Sequence, residues 1–170
     1  IVRSVTANLE ELGLALCIVD CGADHAALTG EYASIPQEME KVAAFFGKKV
    51  LREVQEEEVL KAMPQLRRAV GDRAVLRALH FYADDRRAVE EADALERRDK
   101  DAFLKLVKES GRSSWELLQN ITPAGAVEAQ DMAIALEAAE IALNGKGACR
   151  VQSRHLFRRK VYLNSVKKWN

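Results

Sequence analysis

The stretch DRAVLRALHFYADDRRAVEEADAL, Asp72 to Leu95, decides the fold class of this chain. Val75, Leu76, Leu79, Tyr82, Val89, Ala92 and Leu95 recur at helical spacing, while Asp84, Asp85, Arg86, Arg87, Glu90 and Glu91 fall opposite them. The spacing therefore predicts a long amphipathic helix with its charges in water. Asp72 is placed to cap its start. Downstream, Asp99 is the expected cap of a second helix burying Phe103, Leu106 and Val107. Gly111-Arg112-Ser113-Ser114 predicts a bend or break before Trp115, Leu117 and Leu118 resume the pattern. Pro123 and Gly125 form the next connection. From Val127 to Leu143 a third helix is expected, with Val127, Ile134, Ala138 and Ile141 on one face and alanines that let a neighbour approach closely.

The first half reads as shorter elements. Leu14 to Asp20 is a brief apolar run bounded by turn residues, which predicts a buried central strand. Pro36 suits an early helical position, and Met39, Val42, Ala43 and Phe46 follow until Gly47 closes that helix. Lys49 to Val54 is a candidate second strand. Glu56-Glu57-Glu58 opens a short helix, favoured by the positive end of its dipole, and Pro64 starts another that Gly71 ends. Gly145 and Gly147 lead out of the last helix into an extended run ending at Gln152. The class expected is α+β, rich in helix, with three long helices in the second half and a few strands.

With 170 residues, 48% of them hydrophobic and 31% charged, the chain has the composition of one ordinary globular domain. Its formal neutrality combines two unlike parts. Residues 1–152 hold 20 basic and 26 acidic residues, whereas Ser153 to Asn170 holds six basic residues and no acid. Cys17, Cys21 and Cys149 follow no disulfide-scaffold spacing, which favours a reducing, cytoplasmic setting. No apolar run approaches the roughly 20 residues of a membrane span, and no secretion signal is visible, so no membrane role is expected. The chain begins at Ile1 and has its first methionine at Met39, a pattern that reads as a cut or processed start.

Four constellations could carry chemistry. Cys17, Cys21 and His25 recur every four residues beside Asp20 and Asp24, but that spacing gathers ligands only on a helix, whereas this run reads as a strand. Free cysteines are therefore favoured over zinc. The loop Asp20 to His25, with Thr29, Glu31 and Tyr32, follows a strand end, a common place for ligand-binding groups, but its residues favour a solvated, helix-capping loop. Gly145 to Gly147 follows a helix instead of opening one, so it reads as a C-cap rather than a phosphate loop. The basic tail, with Phe157, Tyr162 and Trp169, supports nonspecific attraction to phosphates and no specific nucleic acid.

Taken in order, several segments resemble the middle and later part of a galactokinase, of the GHMP superfamily of small-molecule kinases. They are Leu14 to Asp20, Asp24 to Thr29, Glu31 to Pro36, Gly71 to Ala74, Arg77 to His80, Glu109 to Ser114 and Gly147 to Val151. The resemblance implies ATP-dependent phosphorylation of the anomeric hydroxyl of galactose, with Mg-ATP as phosphoryl donor. It carries over one ligand position, Tyr32, as a wall of the sugar pocket. It gives Asp24 and His25 no catalytic role, and Ser113 and Ser114 read as hydroxyls at a helix break.

The implied organisation is the end of an N-terminal sugar-kinase domain at 1–35, a truncated C-terminal domain at 36–152, and a basic tail of unrelated sequence at 153–170. The sugar-binding motif, phosphate loop and catalytic aspartate of the family would precede Ile1. A Gly-Gly-Gly-Phe loop would follow Gln152, where this chain has Ser153-Arg154-His155-Leu156-Phe157. The expectation is thus a galactokinase-derived chain that has no ATP or Mg ligand of its own and is inactive alone. The alternatives are a noncatalytic helical interaction module or a galactose-responsive regulator. The sequence leaves the oligomeric state and the order of residues 153–170 open.

Overall fold

A computed structural model describes residues 4–20, 29–122, 124–125, 127–128, 130–152 and 160–164. Helices α1 (Thr29–Phe45), α2 (Glu56–Lys61), α3 (Met63–Val70), α4 (Asp72–Glu96), α5 (Lys100–Ser113) and α6 (Asp131–Leu143) accompany strands β1 (Leu16–Asp20), β2 (Cys149–Gln152) and β3 (Lys160–Asn164). The helix-rich class with three long helices in the second half agrees with the sequence.

The helical body packs α4 against α1, α3 and α5. Val42 and Ala43 of α1, Val59 of α2, Leu66 of α3 and Ala74, Val75 and Ala78 of α4 share one buried cluster with Leu51 and Val54. Each large side chain there contributes about 1.5–3 kcal/mol by leaving water. Helix α1 begins at Thr29, so Pro36 lies inside it and not in its first turn. Lys49 to Val54 is not a strand. A 3-10 turn spans Leu51–Glu53, and the Tyr82 hydroxyl shares its one proton between the carbonyls of Leu51 (3.1 Å) and Val54 (3.0 Å). Those carbonyls are satisfied by a side chain and need no ladder.

Gln55 and Glu58 form a capping box at the start of α2. Gly71 occupies the N-cap of α4 with φ of 89°, where a side chain is strained. Asp72, expected as the cap, instead receives the Arg67 guanidinium at 2.7 and 3.1 Å. Asp99 does cap α5, its carboxylate accepting from the Ala102 N–H at 3.0 Å. No break falls at Gly111, which stays helical. A Cβ there would lie 3.1 Å from the Cys149 carbonyl oxygen and 3.4 Å from Arg150 Cβ, so the glycine admits β2 against α5. The helical pattern changes at the last residue of the expected stretch, in a π turn over Ser114–Leu118 that ends at Gln119 with φ of 55°.

The faces of α6 are reversed relative to expectation. Met132, Leu136, Ala139 and Leu143 are buried, whereas Ile134 and Ile141 are 69% and 70% exposed, and Val127 precedes the helix at 85%. Asn144 and Gly145 end α6 in left-handed conformations and turn the chain toward β2. The sheet is antiparallel in the order β1-β3-β2, with Ile18 and Arg150 both paired to Tyr162. Among the described residues β1 therefore lies at an edge rather than at the centre, with Leu16 and Ile18 half exposed, while Leu14 just before it is buried against Leu104, Val107 and Ala148. Part of the basic tail, Lys160–Asn164, supplies the middle strand.

Candidate functional site

Tyr32 stands in the first turn of α1, half-buried, beside a small recess lined also by Ile35, Arg77, Gln119, Asn120 and Thr122. The recess adjoins a cleft of about 570 Å³ bordered by Glu31, Arg73, Trp115, Glu116, Gln119 and Thr122. Two helices and the π turn fix this geometry. On α1, Glu31, Ser34 and Glu38 fall on one face at spacings of three and four. On α4, Arg73 and Arg77 are four apart and meet them.

Glu38 lies between the two arginines. Arg73 Nη2 donates to its Oε1 at 2.6 Å, and Arg77 Nη1 donates to its Oε2 at 2.9 Å. Arg77 Nη1 also donates to Ser34 Oγ at 2.8 Å, and its Nε donates to the Leu118 carbonyl at 3.0 Å. The π turn aims that carbonyl inward, a use of irregular helix common near functional sites. Arg77 is wholly buried. Burial pushes its guanidinium below the usual arginine value while Glu38 acts to raise it, and the group stays charged. Arg73, more exposed, is instead raised by its hydrogen bonds to Glu38.

A second polar cluster lies deeper between α4 and α5. His80 Nδ1 is 2.8 Å from Ser113 Oγ, its Nε2 is 3.8 Å from Asp84, and Asp84 accepts from Ser110 Oγ at 2.7 Å and Arg87 Nε at 3.1 Å. The residue types match a hydrolytic triad, but His80 and Ser113 are each only 6% exposed, so no substrate carbonyl reaches the hydroxyl. The cluster is an internal strut. Desolvation lowers the His80 pKa, opposed by Asp84. Asp84, Arg87 and Glu91, expected in water, are thus partly buried.

Among the sequence-derived candidates, Tyr32 is placed at the recess. Asp24, His25 and Cys21 lie outside the described residues. Cys17 is exposed on β1, where the strand alternates its side chains, and no group of three potential metal ligands occurs among the described residues. Ser113 and Ser114 are buried at the helix-to-π junction. Sequence reasoning missed Arg77, Glu38 and Asn120. The available signal was the pair of arginines on one α4 face matching the Glu31, Ser34 and Glu38 spacing on α1.

Among curated proteins, several galactokinases are similar to this chain. A galactokinase of Glaesserella parasuis is 29% identical over 139 residues, which are 82% of this chain and 34% of that protein. The human galactokinase is 37% identical over 114 residues, 65% of this chain and 28% of its own length. One from Actinobacillus pleuropneumoniae is 36% identical over 87 residues, 51% of this chain and 22% of that protein. The chain is galactokinase-like. Several such relatives cover its middle and later portion, and the chain spans about a fifth to a third of the length of each. No family model matches it. Among the described residues no helix is long and apolar enough to cross a membrane.

Proposed function

We propose that this chain carries the sugar-wall portion of a galactokinase-like protein, which in complete form phosphorylates galactose at the anomeric hydroxyl with ATP. The observation that carries this reading is the similarity to galactokinases together with the place of Tyr32, on a polar recess that opens beside a cleft. A tyrosine there gives a ring to pack on a sugar and a hydroxyl as a hydrogen-bonding handle. The glycine-bearing turn after α6 does not fit the phosphates of ATP. The Gly145–Gly147 turn closes α6, and a helix C-terminus presents carbonyls and negative dipole where a phosphate needs N–H groups. No step of phosphoryl transfer is assigned to residues of this chain.

In a full-length homologue, Tyr32→Phe and Tyr32→Ala should raise the Michaelis constant for galactose, the second more than the first. An unchanged constant in both would overturn the assignment. The purified 170-residue chain should form no galactose 1-phosphate from galactose and Mg-ATP, since Ser153-Arg154-His155-Leu156-Phe157 replaces the glycine-rich loop the resemblance implies. A noncatalytic interaction module is the second reading. It is favoured by the exposed Ile134 and Ile141 on α6, and monodisperse folding of the chain that binds galactose without turnover would support a regulator on this scaffold.

A further inference from the structure

Two polar atoms beside Tyr32 point to a ligand atom. Arg77 is 0% exposed, and its Nε and Nη1 are taken by Leu118, Ser34 and Glu38. Among the described residues its Nη2 has no hydrogen-bond partner, and neither has Asn120 Oδ1, and both atoms are buried. The two residues line the same recess, whose volume of about 10 Å³ is that of one oxygen atom rather than of a larger group. Leaving such atoms unpaired forfeits their hydration with no return, so an occupant that satisfies both is strongly favoured.

The chemistry of the pair selects that occupant. It must accept from a guanidinium N–H and donate to an amide oxygen. A hydroxyl does both; a carboxylate or phosphate has no proton to give, and an ammonium has no lone pair. An anion is also not called for electrostatically, because Glu38, 2.9 Å from Arg77, and Glu31, 4.0 Å from Arg73, together match the two arginine charges. The recess shares Glu31, Gln119 and Thr122 with the adjoining cleft of about 570 Å³, so a ligand placing one hydroxyl in the recess can extend into the larger space.

We propose that the recess is a one-oxygen subsite in which Arg77 Nη2 and Asn120 Oδ1 together bind a neutral hydroxyl. The hydroxyl belongs to a sugar lying in the adjoining cleft, and this source rests on the sugar reading of Tyr32. Water is the other source of the same chemistry. Asn120 then sets specificity for one hydroxyl position, while Arg77 serves two ends, the α1–α4 ion pair and the subsite.

The test combines high-resolution crystal structures of the chain, free and soaked with galactose, with calorimetric titration of galactose and its monodeoxy analogues into wild type and Asn120→Leu. The free protein should show an oxygen within hydrogen-bonding distance of both atoms, and the soak should replace it with a sugar hydroxyl. The analogue lacking that hydroxyl should bind wild type about tenfold more weakly than galactose, and Asn120→Leu should erase the difference. A circular-dichroism melt shows whether Asn120→Leu is folded, and the wild-type structures decide the matter if it is not. An empty recess in both crystals overturns the subsite, whatever galactose does elsewhere. A recess oxygen in a chain that binds no galactose supports the subsite with water as its source and overturns the sugar-hydroxyl source, while the reading of Tyr32 is decided separately by its variants in the full-length homologue. Galactose bound with water still in the recess overturns the sugar-hydroxyl source alone.

Discussion

Replacing Arg77 by methionine tests whether the α1–α4 ion network holds the site together. The substitution keeps most of the side-chain volume and removes hydrogen bonds to the Leu118 carbonyl (3.0 Å), Ser34 Oγ (2.8 Å) and Glu38 Oε2 (2.9 Å). Glu38 keeps Arg73 at 2.6 and 3.0 Å, so its charge is not stranded. Ser34 keeps its own bond to the Glu31 carbonyl at 2.6 Å. The Leu118 carbonyl is the group left without its side-chain donor, at a cost of about 1–3 kcal/mol. Breaking a buried ion pair costs about 3–5 kcal/mol when one charge is left unpaired, and the surviving Arg73 contact moves the expectation to the bottom of that range. Relief from burying the guanidinium acts the same way, since desolvation is the largest influence on Arg77. The expected loss is about 3 kcal/mol, a fall of roughly 6–12 °C in Tm for a chain of this size. Glu38→Leu should cost at least as much because it strands a wholly buried Arg77. The double variant should fall short of the sum by about 2 kcal/mol. Urea unfolding followed by circular dichroism measures all three. A loss below about 1 kcal/mol for Arg77→Met, or strict additivity in the double variant, would refute the network as described.

Gly111→Val should destabilise the chain by about 1–3 kcal/mol, because even its Cβ would sit 3.1 Å from a backbone carbonyl of β2, and equal Tm values would contradict that packing. His80 is kept neutral by burial, facing Asp84 and Arg87 from α4, Ser113 from α5 and Arg150 from β2. Its folded pKa lies below the usual 6.5, so its contribution is whole above 6.5 and is lost as pH falls from there through the folded value. The difference in urea stability between wild type and His80→Gln should therefore shrink from pH 7.5 to pH 5, and a constant difference would count against a buried neutral imidazole. Burial and the Glu140 carboxylate push the Cys149 thiol up to about 12, so Cys149 should resist iodoacetamide at pH 8 until the chain unfolds, as read by peptide mass spectrometry. Rapid native alkylation there would disprove it.

Much of the helical framework was legible because its signals are local. The Asp99 cap, the glycine at position 71, the acidic start of α2 and the long α4 pattern each act within a turn or two. The errors share a different cause. On α6 the alanines make nearly every face apolar, so periodicity gave no reason to prefer Met132, Leu136 and Leu143 over Ile134 and Ile141 for the interior. Lys49 to Val54 has strand-like residues but finds its carbonyl partner in Tyr82, which lies about thirty positions away and is invisible to a local reading. β3 was hidden inside a charge run, where the six cations outweighed the short alternating pattern Lys160–Asn164.

The site was readable only in part for a related reason. Periodicity sorts polar residues to water, yet Arg77 and His80 lie on the buried side of α4 because partners from other helices meet them there. Such residues are stable inside only when every partner is in place, which ties the local geometry around Tyr32 to the packing of three separate segments: α1, α4 and the π turn. That coupling gives the irregular turn a physical reason. A regular continuation of α5 would keep the Leu118 carbonyl within its own helix, whereas the π turn followed by a left-handed Gln119 frees it for Arg77 and brings Asn120 to the same recess. The positioning of Tyr32 is therefore a property of the α1–α4–π-turn junction, and substitutions at Glu38 or Arg77 should disturb sugar binding as well as stability, while Val59→Ala on α2 should reduce stability alone.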